Sequence, residues 1–124
     1  MRNLKYLLLS VGILFISCNK DNNNTNNCQF AGTWIGTYSG GESGDISGII
    51  STDCSISGTA TPDSGNTIYY GIGSVENDGS NFSVTIGTVS TGAVFSGTLS
   101  GNTGAGGWIN ESEGLSGDWT ILKQ

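Results

Sequence analysis

From Gln29 onward, apolar and polar side chains alternate with a period of two, and turn-forming residues return roughly every ten positions. The pattern predicts eight strands, over residues 32–39, 45–51, 54–61, 67–75, 81–89, 93–100, 104–110 and 114–122. Between them lie runs such as Gly40-Gly41-Glu42-Ser43-Gly44, Pro62-Asp63-Ser64-Gly65-Asn66 and Glu76-Asn77-Asp78-Gly79-Ser80. Short links of this kind join antiparallel neighbours, and no segment is long enough for a crossover helix. Aromatic residues in both the first and last strands point to an all-β, up-and-down meander closed into a small barrel. Closure also removes the two unpaired edges of an open sheet. A two-sheet sandwich is the alternative.

Within the strands one motif recurs, a bulky residue and an apolar one flanking a glycine at alternate positions. It reads Trp34-Gly36-Tyr38, Ile46-Gly48-Ile50, Ile56-Gly58-Ala60, Phe95-Gly97-Leu99 and Leu115-Gly117-Trp119. Alternate residues share a face, so each of these glycines is expected to point inward. The middle position holds Tyr70, Val84 and Trp108 in the fourth, fifth and seventh strands. If the layers align, the waist of the barrel carries five glycines and these three larger side chains. Either Tyr70 and Trp108 fill that space, or the glycines leave a pocket for a ligand against Trp34, Tyr38, Tyr70, Trp108 or Trp119.

Ahead of the alternating region the pattern differs. Arg2 and Lys5 precede an apolar run over 6–16, followed by Ser17-Cys18 and then by 19–27, which contains no apolar side chain. The apolar run is well short of the ~20 residues a bilayer-spanning helix needs. A basic start, a short apolar helix and a small residue before the cut are the parts of an export signal. With a cysteine immediately after Ser17, the stretch resembles the lipobox of bacterial lipoproteins. The resemblance implies cleavage before Cys18, acylation of Cys18 and a lasting membrane anchor. It divides the chain into a signal peptide (1–17), a lipidated cysteine with an Asn-rich tether (18–27) and one domain (28–124). The nine tether residues reach at most ~30 Å, and ~16 Å as a flexible coil, so the domain would ride close to the membrane. The resemblance implies the outer membrane, where such lipoproteins commonly go. Asn19 rather than Asp after the cysteine argues against inner-membrane retention, and the sequence leaves open which face the domain occupies. With Cys18 lipidated, Cys28 and Cys54 remain as an exported pair, which reads as a disulfide. In a meander they sit at the same end, at the start of the first strand and at the link between the second and third.

Composition narrows the function. Once Arg2 and Lys5 leave with the signal, Lys20 and Lys123 stand against all ten acidic residues. Such a chain has no basic patch for nucleic acid or for an anionic lipid surface. It has no histidine, the commonest general acid/base and transition-metal ligand. Glu42, Asp53, Asp63, Glu76, Asp78, Glu111 and Glu113 fall in turns, where carboxylates serve the backbone, and Asp45 and Asp118 are expected to face solvent. The reading is a protein that is not an enzyme, with no cofactor and no metal site.

Ala31-Gly32-Thr33-Trp34 at the opening strand, repeated Ser-Gly-Thr, and the closing Trp119-Thr120-Ile121-Leu122-Lys123 resemble the calycin group of small barrels. Within it the likeness is to avidin-like and bacterial protease-inhibitor barrels. The asparagine that the avidin-like barrels place just after that first Trp is absent from Ile35-Gly36-Thr37-Tyr38, so biotin binding is not carried over. Two classes of function are expected from this. One is a lipid-anchored binding module for a small apolar or glycan-like ligand. The other is a structural or interaction protein with a filled barrel, meeting envelope partners or inhibiting a protease.

Overall fold

The computed structural model describes residues 27–88 and 92–124. Alternation becomes eight strands: β1 (Gly32–Gly40), β2 (Gly44–Ile50), β3 (Ser55–Pro62), β4 (Tyr69–Ser74), β5 (Phe82–Ile86), β6 (Ala93–Ser100), β7 (Thr103–Asn110) and β8 (Leu115–Lys123). Each pairs antiparallel with the next, and β8 returns to β1 from Trp34↔Lys123 to Gly40↔Gly117. The sheet is a closed barrel, so the sandwich alternative falls away. The expected signal helix, Cys18 and the tether as far as Asn26 lie outside the described residues, as does Val89, the expected end of the fifth strand.

Links 41–43, 63–68 and 111–114 gather at one end of the barrel with Gly87, Thr88 and Gly92, and links 51–54, 75–81 and 101–102 at the other. The second end is closed by the chain entering β1. Phe30 is buried there against Trp34, and the Trp34 indole N–H donates to the Phe30 carbonyl at 2.9 Å. Cys28 is bonded to Cys54, and the Cys28 amide donates to the Thr52 carbonyl at 2.8 Å. Gln29 holds Asn77 in the β4–β5 link through two hydrogen bonds. The disulfide therefore joins the two places where the meander puts the cysteines.

One core fills the interior. It is built from Trp34, Tyr38, Ile50, Ile56, Phe82, Val84, Phe95, Leu99, Trp108, Trp119 and Ile121, among others, from every strand but β4. Each tryptophan lies opposite a glycine of a neighbouring strand: Trp34 with Gly48, Trp108 with Gly117, Trp119 with Gly106. A bare glycine lets the large ring lie flat across the adjacent backbone, and the indole N–H then reaches carbonyls there. Trp119 donates to Gly107 at 2.9 Å and to Ser96 at 3.1 Å, and Trp108 to Ser39 at 3.0 Å.

Two expectations about the interior are corrected. The glycines do not form one waist layer: Gly36 is paired with Ile46 and Ile121, whereas Gly48 is paired with Trp34 and Gly58. Strand tilt staggers the register, so residues with the same place in their strands sit at different heights. Tyr70 does not enter the barrel. It is 70% exposed on the outer face, and Gly71, Gly73 and Val75 point inward instead. A Cβ at Gly73 would lie 1.9 Å from the Ser83 carbonyl oxygen, and one at Gly71 would lie 2.5 Å from that of Thr85. The wall comes too close there for any inward side chain. The perfect alternation of Ile68, Tyr70 and Ile72 thus marks the outer face of β4.

Candidate ligand-binding site

Below the middle of the barrel the packing is nearly complete. A void of about 50 Å³ remains, walled by apolar side chains including Trp34, Ile56, Phe82, Val84 and Trp119. That is room for little more than a water molecule, and an apolar void of this kind stays dry. The open end is different. A concave space of about 410 Å³ lies there among Glu42, Pro62, Tyr69, Thr88, Gly92 and Glu113. This is within the size range of small-molecule sites, which cluster at the mouths of barrels.

Its floor is aromatic. Tyr38 near the end of β1, Phe95 in β6 and Trp108 in β7 meet there, with Tyr38 at 5.6 Å and nearly perpendicular to each of the other two. Phe95 and Trp108 lie close to parallel, with ring centroids 6.0 Å apart. Register explains the meeting, because Phe95 and Trp108 are cross-strand partners and the Trp108 indole is tethered to the Ser39 carbonyl beside Tyr38. Ala60 and Ala93 are small enough to leave the space above this floor open. The rim adds Tyr69, Asn110 and the carboxylates of Glu42 and Glu113.

Tyr38 links floor and rim. It is only 5% exposed, its phenol oxygen lies against Gly44, and it makes no hydrogen bond among the described residues. Burial pushes its hydroxyl up to about 12, helped by the negative charges of Glu42, Asp63 and Asp45 and by Tyr69. The group therefore stays a neutral donor and acceptor across the physiological range.

The turn carboxylates at the closed end have backbone partners. Asp53 accepts from the amide and hydroxyl of Ser55 at 3.0 and 2.7 Å, and Asp78 accepts in the same way from Ser80 at 2.9 and 2.7 Å. The serine hydroxyl bond, then the amide bond, draws each carboxyl below its usual range. Both are turn locks for the left-handed residues Cys54 and Gly79 between each pair. Asp45 and Asp118 face solvent as expected. Among the described residues, no group of three or more His, Cys, Asp or Glu side chains converges to hold a metal ion.

Of the aromatic residues singled out in the sequence, the structure places Tyr38 and Trp108 in the mouth, Trp34 and Trp119 deep in the filled interior, and Tyr70 outside. Phe95, Tyr69, Glu42 and Glu113 were missed as mouth residues. The signal was available in the topology. In a meander alternate links share an end, which brings Glu42 and Glu113 together, and Phe95 sits near the open end of its strand as Tyr38 does. Compared with known proteins, the chain matches neither a protein-family model nor a curated protein.

Proposed function

We propose that the chain is a cell-envelope lipoprotein, anchored through acylated Cys18 and sited at the outer membrane, whose barrel is a non-catalytic binding module. Its ligand is small, with an apolar or glycan-like body, and enters the open end. The observation that carries this reading is the 410 Å³ mouth floored by Tyr38, Phe95 and Trp108. Stacked and perpendicular rings offer a flat apolar surface to a hydrocarbon or a sugar face, and Tyr38 and Asn110 supply the few polar contacts that orient it. The likeness of Gly32-Thr33-Trp34 and the closing Trp119 strand to calycin barrels belongs to the same proposal, and a closed eight-stranded meander is consistent with it.

The test is retention. The lipoprotein, incubated with a small-molecule extract of the envelope and washed, should carry a compound detectable by mass spectrometry. A variant with Ala93→Phe, which fills the mouth, should lose it. Equal retention by both proteins would contradict the reading.

A second reading is favoured by a different observation. Tyr70 and Ile72 on β4 are 70% and 74% exposed, and Ile49 lies one strand beyond Ser57 in the same cross-strand row as Ile72. An apolar outer strip above a filled lower barrel suits a structural or interaction protein that meets an envelope partner or a protease. Cross-linking from position 70 or 72 to another envelope protein, abolished by Ile72→Asp, would support it over the ligand reading.

A further inference from the structure

We propose that the ligand taken by the barrel mouth carries a positive charge: a small organic ammonium on an apolar or hydroxylated body. This rests on the binding-module reading above and narrows it to one chemical class.

Both ends of the barrel carry acidic links, with Asp53, Glu76 and Asp78 at the closed end, but the open half carries more net negative charge. Glu42, Asp63, Glu111 and Glu113 lie in the links of the open end, and Asp45 and Asp118 face outward on the adjoining half of β2 and β8. The one cationic side chain among the described residues is Lys123, at the closed end opposite Trp34. No described group at the mouth could neutralise a carboxylate or phosphate ligand. An anion would meet like charge at the rim and no cationic side chain among the described residues inside.

Acidic loops alone would mean only solubility. The mouth adds two features that point to an occupant. The first is the aromatic corner, in which three rings converge with centroids 5.6 to 6.0 Å apart, directly beneath Glu42 and Glu113. Ring faces carry negative quadrupole charge and attract ammonium groups, most strongly where water is excluded. The second is the Tyr38 hydroxyl. Tyr38 as a residue is 5% exposed, and its hydroxyl, which makes no hydrogen bond among the described residues, opens into the mouth. An ammonium N–H entering the mouth can donate to this oxygen in place of water. Burial and the surrounding carboxylates keep that phenol neutral, so it accepts without adding a charge of its own.

The three elements divide the work. The rings of Tyr38, Phe95 and Trp108 take the apolar body and the near side of the cation, Tyr38 accepts a hydrogen bond, and Glu42 and Glu113 neutralise the charge from the rim. Glu42 is half-buried and Glu113 exposed, so attraction by the first is screened less by water.

The experiment is a calorimetric titration of the whole lipoprotein with three probes of one shape: phenethylamine, phenethyl alcohol and hydrocinnamate. The amine should bind at least about tenfold more tightly than the alcohol, and the carboxylate should give no heat of binding. Glu42→Gln combined with Glu113→Gln should bring the amine down to the affinity of the alcohol and leave the alcohol unchanged. Amine and alcohol binding equally well to the native protein would overturn the cationic inference and leave the binding-module reading standing. Tighter binding of the carboxylate would overturn it as well. Binding of none of the three, at concentrations that saturate ordinary small-molecule sites, would count against both.

Discussion

The indole N–H of Trp108 donates to the carbonyl oxygen of Ser39 at 3.0 Å, reaching from β7 over β8 to β1. Only the absence of a side chain at Gly117 allows it. A Cβ there would stand 1.8 Å from the Ser39 oxygen and 2.8 Å from the Trp108 nitrogen. The contact joins the first strand to the last two and also seats the ring that floors the mouth. The same bond braces the β1–β8 seam and fixes a ring of the candidate site.

Gly117→Ala should therefore act on both. The added methyl meets backbone, which cannot swing away, so the loss of stability should be about 3 kcal/mol or more, at the upper end of overpacking effects. Denaturant unfolding of the variant checks this. A loss below about 1 kcal/mol would show that the strands separate more easily than the geometry implies.

The Cys28–Cys54 bridge closes a loop with a sequence separation of 26 at the sealed end. On the chain-entropy account, removing it with Cys28→Ser and Cys54→Ser should cost about 3–4 kcal/mol. The mouth lies at the other end of the barrel, so ligand affinity should be unchanged under conditions where the variant is still folded. Unfolding curves with and without reductant measure the first part, and a titration measures the second.

Tyr38 makes the fold sensitive to strong alkali. Its folded-state value of about 12 stands above the ordinary 10.0, so folding favours the neutral phenol. The resulting stabilisation is fully present below pH 10.0 and is lost as the pH rises toward about 12. Tyr38→Phe should remove that part of the decline. Phenolate absorbance of the native protein should show a late step near pH 12 that Tyr38→Phe removes. The absence of any late step, or a late step that survives Tyr38→Phe, would contradict the placement of Tyr38.

Tyr70 and Trp119 give a paired comparison of outside and inside. Trp119→Ala empties the packed interior and removes a donor to two carbonyls, and should cost about 3–5 kcal/mol. Tyr70→Ala, at 70% exposure, should change stability by about 0.5 kcal/mol or less. Thermal unfolding of the two variants side by side checks both numbers.

Strand number and order were legible in the sequence because period-two alternation and Gly/Asn/Asp links are local signals. The disulfide was legible because Cys28 and Cys54 are the pair left once Cys18 is set aside, and a meander puts both at one end. The phase of β4 was not. Its outward residues Ile68, Tyr70 and Ile72 are more apolar than the inward Gly71 and Gly73, and only the close approach of the wall decides between the faces. β5 is also shorter than expected, ending at Ile86. Gly87 adopts a φ of 91° there, and its amide donates to the Tyr70 carbonyl. The candidate site was half legible. Tyr38 and Trp108 stood out as inward aromatics, but their meeting with Phe95 depends on cross-strand register. The empty mouth depends on Ala60 and Ala93 being small where other strands carry rings.

The most direct test of ligand binding at the mouth is the nuclear magnetic resonance spectrum of the nitrogen-labelled protein, with and without a small-molecule extract of a bacterial envelope. The three tryptophan indole signals report three depths of the barrel. The binding-module account predicts that the Trp108 indole and the amides of Tyr38 and Phe95 shift, while the Trp34 indole at the closed end stays in place. Shifts confined to Tyr70, Ile72 and Ile49 on the outer face, or no shift anywhere, would contradict it.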